Sequence, residues 1–241
     1  MGTFNIRHGR SGRHRPCVPS RLNRAIAALD VDVLGLQEVD RRTVRSWFHD
    51  QAADASLAMG GIDHVFTPVR WMGPRGRYGN ALVARGRIDR VEHLALPRLG
   101  SSEPRAATVA DVHLPGLSLT VAVTHLQNHR GQAEVQLGFL LTHLAMRPGP
   151  CLLMGDLNLV TAEARPPVEA AGFTLVDGGH TSPVDGPTKR IDHFCTKDFD
   201  GAGITVAAVE EPRSTVSDHR PSIATIRPLD AGHAPRPGAA K

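Results

Sequence analysis

What constrains this chain most is a recurring pattern in which a short apolar run stops at a polar signature. Val31-Asp32-Val33-Leu34-Gly35-Leu36 leads into Gln37-Glu38, and Cys151-Leu152-Leu153-Met154 leads into Gly155-Asp156-Leu157-Asn158. Thr3-Phe4-Asn5 near the start and Ser217-Asp218-His219 near the end complete the set. Runs this brief, bounded by turn residues, read as buried strands rather than helices. A strand that ends in a carboxylate or carboxamide places hard oxygen atoms at the rim of a sheet. Rims far apart in sequence can converge on one divalent cation, which points to metal-assisted chemistry.

The same reasoning extends along the chain. Alternation and apolar runs predict strands near 2–6, 32–37, 62–66, 79–85, 89–96, 105–113, 117–126, 151–155, 190–196, 203–209 and 221–227. Helical periodicity fits 20–29, opening at Pro19-Ser20, and also 43–59 and 130–146, with a shorter helix over 161–171 that Gly172 stops. The runs flanking Pro115-Gly116 read as a hairpin. Strands outnumber helices, and the helices are scattered between them. The expected fold is therefore α/β (α+β): a four-layer sandwich of two mostly antiparallel β-sheets packed face to face, with helices on the outer faces. No repeat or shift of composition marks a second domain. Residues 1–227 read as one domain, and 228–241, rich in Pro, Gly and Ala, as a flexible tail.

A chain of 241 residues that is 41% hydrophobic has the material for one large core. No apolar stretch approaches the length of a membrane span. Residues Met1 to Arg10 are polar and carry Asn5, so they do not read as a secretory leader. Cys17, Cys151 and Cys195 match no zinc spacing and read as buried reduced thiols of a cytoplasmic protein, secretion requiring a leader removed before residue 1; a monomer without an obligate protein partner is also expected. The formal charge is only +4, and lysine occurs only at Lys189, Lys197 and Lys241. Arginine suits bidentate phosphate contacts, so the balance permits an anionic substrate without demanding a nucleic acid. The segment 7–16 is a basic loop beside Asn5 that either is simply solvated or gathers a phosphorylated substrate.

Carboxylate and carboxamide oxygens suit Mg²⁺, Mn²⁺ or Ca²⁺. Glu38 and Asp218 would suffice as direct ligands, with Asn5 nearby. Asp156 and Asn158 lie two apart and can face the same side of an extended segment, where the pair could orient or deprotonate a water and donate to a phosphoryl oxygen. Asp192 lies in the expected strand Arg190-Ile191-Asp192-His193-Phe194, and a buried carboxylate needs a partner. Pairing with His219 would supply one and raise the affinity of the histidine for a proton. His125, ending the run Leu119 to Thr124, is a second donor.

Taken in order, Thr3-Phe4-Asn5-Ile6-Arg7-His8-Gly9, Leu36-Gln37-Glu38-Val39, Tyr78-Gly79-Asn80-Ala81-Leu82 and Glu103-Pro104-Arg105 form the first half of a series. Thr124-His125-Leu126, Gly155-Asp156-Leu157-Asn158, Arg190-Ile191-Asp192-His193 and Ser217-Asp218-His219 complete it. The chain thereby resembles the endonuclease/exonuclease/phosphatase superfamily, with its deoxyribonuclease I-like fold, over about residues 2–227. The resemblance implies that Glu38 is the principal metal ligand, assisted by Asn5 and Asp218. It implies that Asp156 and Asn158 handle the attacking water and the phosphate, and that Asp192 orients His219 against phosphoryl oxygens. His125, Tyr78 and Arg105 would complete a phosphate clamp. Asn80 joins the phosphate-binding set, at a place where nuclease relatives carry a carboxylate that braces the first histidine. The implied reaction is divalent-metal-dependent hydrolysis of a phosphodiester or phosphomonoester, with a nucleic acid or a small phosphoester as substrate. A lipid or inositol phosphate phosphatase, a sphingomyelinase-like phosphodiesterase and a non-catalytic binding protein that keeps the fold are the alternatives.

Overall fold

The apolar runs become strands wherever two faces need covering. In the computed structural model, which describes residues 1–10 and 16–229, β1 (Gly2–Asn5), β2 (Val33–Arg41), β3 (Asp63–Met72) and β4 (Gly76–Ala84) join β11 (Ile204–Glu210) and β12 (Ser222–Pro228) in one sheet. A second sheet holds β5 (Arg87–Ala95), β6 (Ala106–Leu114), β7 (Leu117–His125), β8 (Cys151–Asp156), β9 (Thr174–Leu175) and β10 (Asp192–Lys197). The strand orders are β11-β12-β1-β2-β4-β3 and β5-β6-β7-β8-β10-β9. Pairing is antiparallel except for β1 with β2 and β7 with β8. Those two parallel pairs are the ones bridged by helical crossovers, α1 (Pro19–Ala27) and α3 (Arg130–Ala145), because a parallel pair cannot be closed by a tight turn.

Three apolar layers hold this together. Val33, Leu82, Val121, Val123, Met154 and Phe194 meet between the sheets. Phe4, Leu34 and Leu36 pack outward under α1 and α2 (Gln51–Met59), through Leu22, Ile26, Ala55 and Met59. Ala122, Leu153 and Cys195 pack outward under α3 and α4 (Thr161–Ala170), through Leu137, Leu141 and Val168. The result is the four-layer sandwich expected from the pattern. Its three cysteines are buried and free. Among the described residues, no helix is long and apolar enough to cross a membrane.

Several boundaries differ from expectation, each for a local reason. The helix expected over 43–59 is only Gln51–Met59, preceded by a 3-10 turn at Val44–Ser46. Buried Asp40 captures the Thr43 hydroxyl and the Arg45 guanidinium, each at 2.7 Å. That pins the preceding segment as a loop, and the Asp50 carboxylate then caps the helix by accepting from the Ala53 N–H. β2 runs through Glu38 to Arg41, with a bulge between Leu36 and Val39, so Glu38 is not at a strand end. β3 extends to Met72 across a bulge at Pro68–Arg70, and the short β9 was not expected. Pro228 still belongs to β12 and the Leu229 N–H bonds to the Gly203 carbonyl. The rest of the expected tail, 230–241, and residues 11–15 of the basic loop lie outside the described residues.

Candidate active site

Both parallel pairs deliver their C-terminal ends to the same rim of the sandwich. In the second sheet, register alone sets His125 beside Asp156 and Asp156 beside Asp192, so their side chains share a face. Gly155 makes that row possible. Its φ is +152°, and a Cβ there would lie 2.0 Å from the Thr124 carbonyl oxygen, so only glycine lets β8 lie this close to β7. In the first sheet, Asn5 ends β1 and the bulge at Glu38 (φ 56°) turns its carboxylate out of the strand ladder toward Asn5.

Asn5 joins the two halves. Its Nδ2 donates to Glu38 Oε1 at 3.2 Å and to Asp156 Oδ2 at 3.0 Å. Its Oδ1 accepts the Arg7 N–H at 3.0 Å, and Ser217 Oγ donates to its backbone carbonyl at 2.6 Å. The serine thereby ties the 217–219 segment to β1, where Asp218 Oδ2 meets the Arg7 guanidinium at 3.0 Å.

Asp156 is the hub. Oδ1 accepts the Asn158 N–H at 3.0 Å, while Oδ2 faces His125 Nε2 at 3.5 Å and His219 Nε2 at 3.9 Å. His219 Nδ1 lies 2.9 Å from Asp192 Oδ2, the pairing expected from the sequence. Burial opposes charge on that imidazole, but Asp192 and then Asp156 outweigh it and raise its pKa to about 10. His219 is thus an imidazolium with Nε2–H turned into the site. Burial, and next the Asp192 charge, raise the pKa of Asp156.

His125 has the opposite character. Arg105 Nη1 lies 3.1 Å from its Nδ1, and a guanidinium only donates, so Nδ1 accepts and the proton sits on Nε2. Burial and the Arg105 charge hold its pKa well below 6.5. Asn80 has no hydrogen bond to this ring among the described residues, and one of its two amide protons is already used. Its Nδ2 donates to the Ala106 carbonyl at 3.0 Å, tying β4 to the start of β6. Asn158, in the left-handed region (φ 52°), spends one amide proton on the Leu126 carbonyl at 3.0 Å, which leaves a second for a ligand. Tyr78 is buried with the Arg45 and Arg70 guanidinium groups 5.5 Å from its ring centre. Burial and the nearby Glu38 raise its pKa.

Two donor sets in this rim could hold a cation. Asp156, Asp192 and His219 each offer an atom within 4.8 Å of the others. Of the three, only Asp192 and His219 are hydrogen-bonded to each other, and the imidazolium offsets one of the two carboxylates. Glu38 and Asp218 are less well balanced: burial raises the pKa of Glu38, and Asp218 pushes it further against the hydrogen bond from Asn5. A divalent cation would relieve that repulsion, and the donors are the hard oxygens that Mg²⁺, Mn²⁺ or Ca²⁺ prefer. The residues therefore fit the expected ion.

Sequence reasoning missed several participants. Arg7 and His8 read from sequence only as part of the basic loop 7–16, solvated or gathering a phosphorylated substrate, with no individual role. Thr181, whose Oγ1 accepts from the Asp192 N–H at 3.4 Å, follows no pattern that marks it. A cavity of about 530 Å³ lined by Thr196, Lys197 and Asp198 lies at the far end of β10 from Asp192, away from this rim.

Comparison with known proteins agrees with this fold. The chain is 26% identical over 240 residues to the Escherichia coli (strain K12) protein YbhP, described as uncharacterized, covering 93% of this chain and 94% of the relative. An endonuclease/exonuclease/phosphatase structure from Beutenbergia cavernae superposes with a TM-score of 0.75 at 22% identity, over 95% of this chain and 71% of that one. The mannosyl-6-phosphatase Bt3783 of Bacteroides thetaiotaomicron superposes with a TM-score of 0.71 at 16% identity, over 94% and 98%. The model of the Endonuclease/Exonuclease/phosphatase family matches residues 2–219, and the chain belongs to that family.

Proposed function

We propose that the protein is a divalent-metal-dependent phosphoesterase that hydrolyses a small phosphodiester or phosphomonoester by in-line attack of water. One observation carries the reading: Asn5 bonds at once to Glu38 of one sheet and Asp156 of the other, gathering acids and histidines at one rim. Glu38 and Asp218, with Asn5, would hold the cation, which supplies Lewis-acid stabilisation of charge on the phosphoryl oxygens. Asp156 accepts the proton of the attacking water, a role its raised pKa suits. The His219 imidazolium, fixed by Asp192, donates through Nε2 to a non-bridging oxygen as charge develops there. His125 Nε2, the free Asn158 amide proton and Arg105 would clamp the phosphate from the other side, with Tyr78 at its edge.

The preference for a small substrate is supported by the spare architecture. The match to the Bacteroides mannosyl-6-phosphatase structure takes in 94% of this chain, so little inserted sequence is left to build a polymer groove. A nucleic-acid substrate is the second reading. Trp47, Phe48 and Trp71 are exposed, and Arg77 lies over the Trp71 ring, an arrangement on which bases can stack. The test is hydrolysis of p-nitrophenyl phosphate, bis-p-nitrophenyl phosphate and single-stranded oligonucleotides with Mg²⁺ or Mn²⁺. Activity on the small esters, abolished by EDTA and reduced at least about a hundredfold in Glu38→Ala, is expected. Full activity of Glu38→Ala would overturn the assignment, and turnover of oligonucleotides alone would favour the second reading.

A further inference from the structure

We propose that His8 supplies a nitrogen donor to the cation held by Glu38, which makes the centre favour Mn²⁺ over Mg²⁺. The inference rests on the metal-dependent reading above and adds a ligand to it.

The backbone puts His8 where it is at some expense. Directly after Asn5, Arg7 and His8 both occupy the left-handed region, at φ 44° and 46°, which residues with a Cβ seldom adopt in succession. The turn is locked from two sides. Gly9 donates its N–H to the Ile6 carbonyl at 2.7 Å, and Gln51 Nε2 donates to the His8 carbonyl at 2.9 Å. Gln51 is itself held by accepting the Asp40 N–H at 2.8 Å. The ring is therefore positioned by α2 and by β2, the strand that carries Glu38.

What the ring does with that position is unfinished. His8 is only 8% exposed, and its Nδ1 is buried without a hydrogen-bond partner among the described residues. Buried nitrogen atoms are nearly always paired, so an orphan at a site rim asks for a ligand. The nearest acceptor, Glu38 Oε2, is 3.7 Å away, too far for a hydrogen bond. Adjacent donors about 2.1 Å from a shared octahedral ion stand roughly 3 Å apart, so the ring and the carboxylate lie within about 0.7 Å of a coordination edge. In the tautomer that protonates Nε2, the Nδ1 lone pair would be available to an ion beside the Glu38 carboxylate.

Imidazole is a softer donor than carboxylate. Adding it to an oxygen set strengthens binding along the series that places Mn²⁺ and later ions above Mg²⁺. Removing His8 should therefore cost more affinity for Mn²⁺ than for Mg²⁺.

The decisive measurement is pulsed electron paramagnetic resonance of Mn²⁺ bound to the full chain, in which an imidazole ligand imprints ¹⁴N modulation on the echo. Modulation is expected in the wild-type protein and in His219→Gln, and lost in His8→Gln. By calorimetry, His8→Gln should bind Mn²⁺ about tenfold more weakly, with a smaller change for Mg²⁺. Bound Mn²⁺ without modulation in the wild type, or modulation that survives in His8→Gln, overturns the role of His8 while leaving the metal-dependent reading intact. Failure of Mn²⁺ to bind at all overturns both. If His8→Gln does not fold, ¹¹³Cd²⁺ added to ¹⁵N-histidine-labelled wild-type protein gives the answer. A cadmium coupling on the His8 ring nitrogen supports the proposal, and its absence from a cadmium-loaded protein overturns it.

Discussion

Acid should weaken this protein through a histidine that never touches substrate. His193 is wholly buried on β10, next to Asp192, and its Nε2 lies 2.8 Å from the Leu159 carbonyl, to which it donates. Burial lowers its pKa from 6.5 to about 4. As pH falls through 6.5 the unfolded chain takes up a proton that the native ring refuses until about 4. The contribution to stability is therefore complete above pH 6.5, and it is lost as pH drops between those two values. At about 1.4 kcal/mol per pH unit the full loss is about 3 kcal/mol, of which about 2 kcal/mol is gone by roughly pH 5. His8, lowered to about 4 by burial and by Arg45, pushes the same way, so the total slope is not enough to identify the residue. The comparison must be with His193→Gln, whose amide can still donate to Leu159 but does not titrate. Urea unfolding from about pH 8 to 5 should show a decline in free energy smaller by about 2 kcal/mol in the variant than in the wild type. Parallel declines would refute the argument, because they would mean that the buried ring takes its proton as readily as the unfolded chain.

Other perturbations have equally direct outcomes. Asp192→Asn removes the charge that holds His219 up, so in an NMR titration its imidazole should protonate near or below 6.5 rather than at about 10; an unmoved titration would show that Asp156 alone suffices. Gly155→Ala places a methyl group 2.0 Å from the Thr124 oxygen and should cost roughly 3 kcal/mol or more, read as a large drop in Tm or as insoluble protein. Asn80→Ala deletes a buried bond to Ala106 and should lower stability by about 1–2 kcal/mol while kcat changes no more than a few-fold; a large fall in kcat would restore Asn80 to the phosphate site.

The legible part of this molecule is the part governed by period and punctuation. Cys151 to Asp156 reads as a strand because it is uniformly apolar up to Gly155, and its burial on both faces is why. The pairing of Asp192 with His219 was legible because a carboxylate buried in a strand has few ways to be satisfied. Tertiary contacts decided the rest. The 43–59 periodicity continued a helix backward that Asp40 and Asp50 cut off, and neither capture can be seen from spacing. Glu38 looked like a strand terminus because a bulge and a terminus both interrupt apolar alternation. Asn80 shares a motif with site residues, yet the amide turns to a carbonyl on the other sheet. His8 was quoted for its place beside Asn5, but only the left-handed turn reveals where its ring goes.

The carboxamide of Asn5 has a consequence for how damage travels through the molecule. Because one side chain spans both sheets, the spacing of Glu38 and Asp156 is set by how far apart the sheets sit, like the jaws of a caliper. That spacing is fixed in the interior, where a Cβ on Gly35 would come within 2.9 Å of Val123 and 3.2 Å of Met154. Interior substitutions that leave the chain folded would still open or close the jaws. Variation in the central core of this fold should therefore change the distance between the Glu38 and Asp156 carboxylates as well as the melting temperature.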